Sequence, residues 1–164
     1  MTTVHDFQMK TIDGQEKSLK DYAGHPLLIV NVASRCGLTP QYTALEGLYQ
    51  RFKGRGLLVM GFPCNDFGAQ EPGTEAEIKT FCETNYNVSF PLFGKVHVKG
   101  PKRADLYEYL TTQSTAPDGP GDIAWNFAKF LVGKDGRVLA RFAPQTAPDA
   151  PEILSAIEAA TKTP

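Results

Sequence analysis

The segment that most restricts the fold is a short apolar run, rich in β-branched residues, that ends in a polar turn. Leu27–Val32 predicts a strand buried on both faces, because its apolar residues do not alternate with polar ones. The run breaks at Ser34. Thr39 and Pro40 then predict the start of a helix, with Thr39 as its N-cap and Pro40 in its first turn.

A single cysteine, Cys36, lies in this expected strand-to-helix turn, next to Arg35. Unpaired backbone N–H groups near the positive end of a helix favour a thiolate over a thiol, and the thiolate is the nucleophilic form. A structural cysteine would more often lie inside the apolar run. From position alone, a reactive thiol and a packed thiol remain about equally plausible interpretations of Cys36.

The residues that follow predict a second strand beside the first. Apolar residues at helical spacing indicate a helix over residues 40–53, which Gly54 and Gly56 end. Residues 57–62 form a second apolar run and predict a strand. Strand, helix and strand in this order form a βαβ unit, whose two strands are parallel.

The flanking segments complete an α/β pattern. Residues 4–19 predict a hairpin that turns at Asp13-Gly14, and Thr74 with Glu77 forms a capping box that opens another helix. The remaining expected elements are a helix over 103–112, strands over 127–132 and 138–142 joined by a turn at 133–136, and a helix over 151–160. This order predicts a thioredoxin-like fold, a mixed central sheet flanked by helices, in a single domain over residues 1–164.

The composition excludes several classes of protein. The 164 residues carry a net charge of −1, so nothing favours a nucleic-acid partner. No apolar run is long enough to span a bilayer, and the first residues do not resemble a secretory signal, so we expect a cytoplasmic protein without stable membrane insertion. Three cysteines without a Cys-x-x-Cys pair, and histidines away from ligand spacing, argue against a disulfide framework and against zinc.

Three further segments are polar or aromatic where an ordinary loop or helix would not need to be. They are Gly61–Pro72, Phe81–Pro91 and Trp125–Val132. Together with Asn31–Gly37, these segments resemble the glutathione peroxidase family in their order and spacing. The resemblance runs from about Phe7 to the C-terminal helix and implies a thioredoxin-like fold.

The resemblance also implies roles for individual residues. Cys36 matches the peroxidatic cysteine, which attacks the peroxide, while Gln70, Trp125 and Asn126 match the family's other catalytic positions. Each of these three side chains offers an N–H donor without adding negative charge, which suits stabilisation of a thiolate and of the developing alkoxide. Cys82 matches the resolving cysteine of relatives that form an internal disulfide and are reduced by thioredoxin.

Two features depart from the family pattern. Asp66 stands where glutamine is expected, which leaves one local contact open. The chain also lacks the longer insertion before the Trp-Asn pair that supports tetramers in some relatives, so we expect a monomer or a weak dimer. Cys64 is best interpreted as a packed thiol, and helix packing is also a serious alternative for Cys82.

The resemblance therefore predicts a thiol peroxidase of the oxidative stress response. It would reduce hydrogen peroxide and organic hydroperoxides at Cys36, form a disulfide with Cys82 and be recycled by thioredoxin, without metal or organic cofactor. Glutathione is the alternative reductant. A second alternative is a peroxide sensor or relay that acts through mixed disulfides with a partner protein, and a binding module without chemistry is disfavoured.

Overall fold

A computed structural model of the chain describes residues 1–162. Its strands and helices, in chain order, are β1 (Gln8–Lys10), β2 (Glu16–Ser18), β3 (Leu27–Val32), α1 (Gln41–Phe52), β4 (Leu58–Pro63), α2 (Glu75–Tyr86), α3 (Asp105–Thr112), β5 (Lys129–Val132), β6 (Val138–Phe142) and α4 (Pro151–Lys162). The first two strands form the expected antiparallel hairpin, with Gly14 in the left-handed region (φ 85°) at its turn. Every predicted helix and strand is therefore present.

The central sheet contains four strands in the order β4-β3-β5-β6. β3 and β4 are parallel, which confirms the predicted βαβ unit, whereas β5 is antiparallel to both β3 and β6. The sheet is therefore mixed, and together with its flanking helices it forms the predicted thioredoxin-like fold.

β3 is buried along its whole length because helices cover both faces of the sheet. Leu28, Val30 and Val32 pack into the core that α1, α2 and α4 share. Leu27 and Ile29 point to the opposite face and pack with α3. Successive side chains of a strand point to opposite faces, so two covered faces explain why the run shows no polar alternation.

Two strands begin later than predicted. The N–H of Leu57 donates to the carbonyl of Phe52 and so belongs to the end of the preceding helix; β4 starts one residue later, at Leu58. The strand expected from Phe127 starts at Lys129, because Phe127 has a φ of 71°. A residue in the left-handed region cannot continue an extended strand.

The N-terminus of α2 forms the predicted capping box. The Thr74 hydroxyl accepts from the Glu77 N–H at 3.2 Å, and the Glu77 carboxylate accepts from the Thr74 N–H at 3.0 Å. Within residues 1–162, no helix has the length and apolar character needed to cross a membrane. The same residues contain no group of three or more His, Cys, Asp or Glu side chains that could hold a metal ion.

Candidate active site

The strand directions bring three separate segments to one edge of the central sheet. Because β3 and β4 are parallel, the loops that follow them, which contain Cys36 and Gln70, leave at the same edge. β5 runs antiparallel to β3, with Lys129 opposite Val30, so the segment just before β5 returns to that edge. This segment contains Trp125 and Asn126, and the fold thus gathers all four predicted positions.

The Cys36 sulfur lies between two N–H donors. The indole Nε1 of Trp125 and the backbone N–H of Leu38 each donate to Sγ at 3.3 Å. The residue is buried, with 8 % of its surface exposed. Both N–H groups are therefore placed where they can donate to negative charge that develops on the sulfur during a reaction.

The prediction that Thr39 caps the following helix was wrong. α1 begins at Gln41, with Pro40 at the N-cap position and no side-chain cap. The Thr39 hydroxyl instead accepts from the Cys36 N–H at 2.9 Å and donates to the Ala33 carbonyl at 2.8 Å. Since a hydroxyl can accept and donate at once, Thr39 closes the cysteine turn itself.

Gln70 and Asn126 contact each other directly. The Asn126 amide donates to Gln70 Oε1 at 3.2 Å, and the NH₂ group of Gln70 has no acceptor among residues 1–162. Gly68 lies against both Gln70 and Trp125: a Cβ at this position would be 3.4 Å from Gln70 Nε2 and from Trp125 Cη2. The Gln70 amide and the Trp125 ring therefore flank the same small residue.

Asn31, the one polar residue of the buried strand, holds the Trp-Asn segment in place. Its side-chain amide donates to the Trp125 carbonyl at 3.1 Å, and its backbone carbonyl accepts from the Phe127 N–H at 2.6 Å. The left-handed φ of Phe127 turns the chain directly after these two contacts. Asn31 was not among the predicted site residues, although a polar residue inside an apolar run was a usable signal.

The loop that contains Gln70 is joined to the cysteine turn by two backbone donors. The Arg35 N–H donates to the Gln70 carbonyl at 3.0 Å, and the Ser34 N–H donates to Glu71 Oε1 at 3.1 Å. Glu71 is fully buried, and burial raises the pKa of its carboxyl group although the bonds from Ser34 oppose the shift. Glu71 was not among the predicted site residues either, although it is a charged residue beside Gln70 within the motif.

All three cysteines are free thiols, and they are divided between the two cores. Cys82 is fully buried on α2 and packs in the same core as Cys36. Burial raises the pKa of Cys82 to about 11. Cys64 packs in the core on the opposite face of the sheet, and burial raises its pKa to about 12, so its surroundings suit a packed thiol.

Asp66, the departure from the family pattern, contacts a neighbouring loop. Its carboxylate accepts from the Val98 N–H at 2.8 Å and lies 2.7 Å from Nδ1 of His97. Burial opposes ionisation of Asp66, but the bonds from Val98 and His97 outweigh it and lower the pKa of the carboxyl. The carboxylate of Asp66 therefore binds the loop that contains His97 and Val98.

Comparison with known proteins supports a single family. The family model described as "Glutathione peroxidase" matches residues 4–111. The chain is 50 % identical over 161 residues to "Hydroperoxy fatty acid reductase gpx1" of Synechocystis sp., covering 95 % of this chain and 94 % of the relative. It is 45 % identical over 179 residues to "Thioredoxin/glutathione peroxidase BtuE" of Escherichia coli, covering 98 % and 96 % of the two chains.

Solved structures agree with this result. The crystal structure of Trgpx in its apo form superimposes with a TM-score of 0.81 at 37 % identity, covering 99 % of this chain and 97 % of that chain. A thioredoxin family protein from Chlorobium tepidum shares the fold at 17 % identity, with a TM-score of 0.62 over 98 % of this chain and 96 % of that chain. The family model, the relatives and the fold together show that this chain is a peroxidase that belongs to the glutathione peroxidase family.

Proposed function

We propose that this peroxidase attacks hydrogen peroxide and organic hydroperoxides with the thiolate of Cys36, resolves the product with Cys82 and is reduced by thioredoxin. The observation that carries the proposal is the Cys36 sulfur in the turn after β3, which accepts hydrogen bonds from the Trp125 indole and from the Leu38 N–H. The one-domain assignment over residues 1–164 forms part of the same proposal.

In the peroxide step, the Cys36 thiolate attacks one peroxide oxygen and the O–O bond breaks. The sulfur is oxidised to a sulfenic acid, and the second oxygen leaves as hydroxide or alkoxide, which takes up a proton to become water or an alcohol. The Trp125 indole donates to the sulfur. The Trp125 ring and the NH₂ group of Gln70 both lie against Gly68. N–H donors placed beforehand at a developing oxyanion lower its energy without reorganisation during the reaction.

In the resolving step, the Cys82 thiol attacks the sulfur of the sulfenic acid. The S–S bond forms, the S–O bond breaks, and the hydroxyl group leaves as water with the thiol proton. Two observations support Cys82 over Cys64: Cys82 shares a core with Cys36, whereas Cys64 packs on the other face of the sheet.

The resolving step requires α2 to loosen. Cys82 is fully buried, and its carbonyl accepts from the Val88 N–H at 3.2 Å beyond Asn87, the left-handed residue that ends the helix. We expect the segment from Phe81 to Tyr86 to open so that the two sulfurs reach disulfide distance. Hydrogen exchange over residues 75–90 should then differ between reduced and oxidised protein. Equal protection in the two states would contradict this movement.

The reductant is proposed from the relatives and from Cys82 together. BtuE of Escherichia coli is named for both thioredoxin and glutathione, and it covers nearly the whole of this chain. A second cysteine that forms an internal disulfide presents a substrate suited to a dithiol reductant, which favours thioredoxin. The Synechocystis relative is named for hydroperoxy fatty acids, so we extend the proposed substrates to bulky organic hydroperoxides.

NADPH consumption with hydrogen peroxide tests the reductant. The enzyme is supplied either with thioredoxin and its reductase or with glutathione and its reductase. We expect turnover with thioredoxin, its loss in Cys82→Ser and its retention in the matched variant Cys64→Ser. Turnover with glutathione that survives Cys82→Ser would instead establish glutathione as the reductant. No turnover with either supply, together with Cys36-linked protein adducts in cells, would favour the relay.

Two further expectations belong to this proposal. Free thiols and reduction by thioredoxin suit a reducing compartment, so we propose that the protein acts in the cytoplasm. We also propose a monomer or a weak dimer. Light scattering during size-exclusion chromatography, over a range of protein concentrations, measures the mass that decides between these states and a stable larger assembly.

A further inference from the structure

Two consecutive N–H groups of the cysteine turn donate to two consecutive residues of the loop after β4. The Arg35 N–H reaches the Gln70 carbonyl at 3.0 Å, and the Ser34 N–H reaches Glu71 Oε1 at 3.1 Å. The first bond uses the backbone alone and is available to any residue at position 70. The second depends on the side chain at position 71.

A glutamate at position 71 carries an energetic cost of desolvation. Its side chain is fully buried, and its Oε2 atom has no hydrogen-bond partner among residues 1–162. Burial of a carboxylate with incomplete hydrogen bonding is unfavourable, and Arg35 and Lys95 offset its charge only through electrostatic attraction. An apolar residue would serve simple packing better, so the carboxylate must be explained by its contacts.

The surroundings of Glu71 place it between the peroxidatic turn and α2. It lines a cavity of about 180 Å³ whose walls also include Ser34, Ile78 and Phe81. Its own N–H donates to Asn65 Oδ1 at 2.9 Å, which fixes the backbone of the loop around it. With the backbone fixed, the position of Oε1 determines where the Ser34 N–H, and with it the turn to Cys36, can lie.

We propose that Glu71 is a positioning residue for the peroxide step, which sets the distance between the Cys36 sulfur and the Gln70 amide through its bond to the Ser34 N–H. The inference rests on the roles of Cys36 and Gln70 proposed above. Without an acceptor at position 71, the Arg35 N–H remains as the backbone donor from the turn to this loop, and the turn can rotate about that bond. The sulfur then remains a nucleophile but loses its alignment with the amide donor.

Two substitutions separate the hydrogen bond from the charge. Glu71→Gln keeps a carbonyl oxygen for the Ser34 N–H, whereas Glu71→Met fills a similar volume without any acceptor. Each variant is reduced and reacted in a single turnover with hydrogen peroxide and, separately, with iodoacetamide. Alkylation needs an accessible thiolate but no donor for a leaving oxygen, so the ratio of the two rate constants reports alignment.

We expect Glu71→Met to lower the ratio of the peroxide rate constant to the alkylation rate constant about 10-fold, and Glu71→Gln to restore it to within about 3-fold of the wild type. Glu77→Met is the matched control. It alters the same cavity wall and removes one of the two hydrogen bonds of the α2 capping box, so it should weaken the fold without touching the Ser34 bond. Its ratio should equal that of the wild type.

Three results overturn the inference: an unchanged ratio in Glu71→Met, an equal fall in Glu71→Gln and Glu71→Met, or an equal fall in Glu77→Met. The first removes the role, the second assigns it to the charge, and the third assigns it to general stability. Failure of the proposed function is seen separately. In that case wild-type protein would show neither an added oxygen at Cys36 nor a disulfide between Cys36 and Cys82 by mass spectrometry after peroxide treatment.

Discussion

Nε1 of Trp125 lies 3.3 Å from the sulfur of Cys36 and is its one side-chain donor among residues 1–162. The other donor, the N–H of Leu38, belongs to the backbone of the cysteine turn and survives any side-chain substitution. The two bonds can therefore be separated by experiment, because only the indole bond is removed by changing a side chain.

Trp125→Phe should slow the reaction with hydrogen peroxide about 10- to 100-fold, since a hydrogen bond to a charged group contributes roughly 1.5–3 kcal/mol. The ring packing against Phe67 is largely kept, so stability should change little. Trp125 is the only tryptophan, so intrinsic fluorescence cannot follow the variant. Competition with a haem peroxidase for hydrogen peroxide measures the rate, and an unchanged rate would exclude the indole as a catalytic donor.

Gln70 and Asn126 should act as one unit, because the Asn126 amide orients Gln70 through its Oε1. Each alanine variant should slow the peroxide step, and the double variant should be little slower than the slower single variant. A double-mutant cycle on single-turnover rate constants measures this coupling, expected at about 0.5–3 kcal/mol. Additive effects would show that the two amides act independently.

Thr39→Val should destabilise the protein by about 1–3 kcal/mol, because it leaves the buried Cys36 N–H and the Ala33 carbonyl without their shared partner. Thr39→Ser keeps the hydroxyl and should recover most of this loss. Urea denaturation measures both differences. If valine and serine were equally tolerated, the hydroxyl would have no part in closing the turn.

The three thiols should differ in their reactivity toward iodoacetamide at pH 7.5. Cys36 is 8 % exposed, whereas Cys64 and Cys82 are fully buried and have pKa values raised by burial to about 12 and about 11. Peptide mass spectrometry over time should find Cys36 labelled first and the other two labelled only as the fold opens. In urea, all three should react at similar rates; early labelling of Cys82 in folded protein would contradict its burial.

Lys129 should make stability depend on pH. Its ammonium group donates to the Pro144 carbonyl at 2.9 Å, but the side chain is fully buried, and desolvation lowers its pKa from 10.5 to about 7. Between these values the unfolded chain binds the proton more tightly than the folded chain. The free energy of unfolding therefore increases as the pH rises from about 7 toward 10.5. Below about pH 7 the lysine is protonated in both states, and the full cost of burying its charge applies.

The matched variant for this effect is Lys129→Met, which keeps the length of the side chain and cannot titrate. The free energy of unfolding of the wild type, minus that of Lys129→Met, should rise by up to about 1 kcal/mol per pH unit between pH 7 and pH 8.5. Urea denaturation at several pH values measures the difference. A difference that stayed constant would show that Lys129 remains charged in the folded protein.

The sequence predicted the order of helices and strands because each carries a local signal. The period of the apolar residues, the glycines after α1 and the capping box at Thr74 all depend on neighbours within a few residues. The predicted strand start at Phe127 was wrong because this residue has a left-handed φ. That conformation depends on the distant Asn31, whose backbone carbonyl accepts from the Phe127 N–H. A local pattern contains no information about such a partner.

The assignment of Thr39 failed for a related reason. A threonine before a proline at the start of a helix is typical of an N-cap, and its hydroxyl would satisfy that role in isolation. In the folded protein, the same hydroxyl instead accepts from the Cys36 N–H and donates to the Ala33 carbonyl of the tight turn. Capping the helix and closing the turn would each satisfy the hydrogen bonding of the Thr39 hydroxyl. Only the path of the backbone through the turn decides which of the two occurs.

By itself, the sequence predicted the fold class and, through the resemblance, the four residues of the proposed site, among them the cysteine proposed as the nucleophile. The tertiary structure decided how they meet: parallel β3 and β4 and antiparallel β5 bring three distant loops to one edge. It also added Asn31, Thr39 and Glu71, whose importance lies in buried hydrogen bonds. Motif residues carry a chemical signature in their type and spacing, whereas supporting residues are defined by partners that only folding brings within reach.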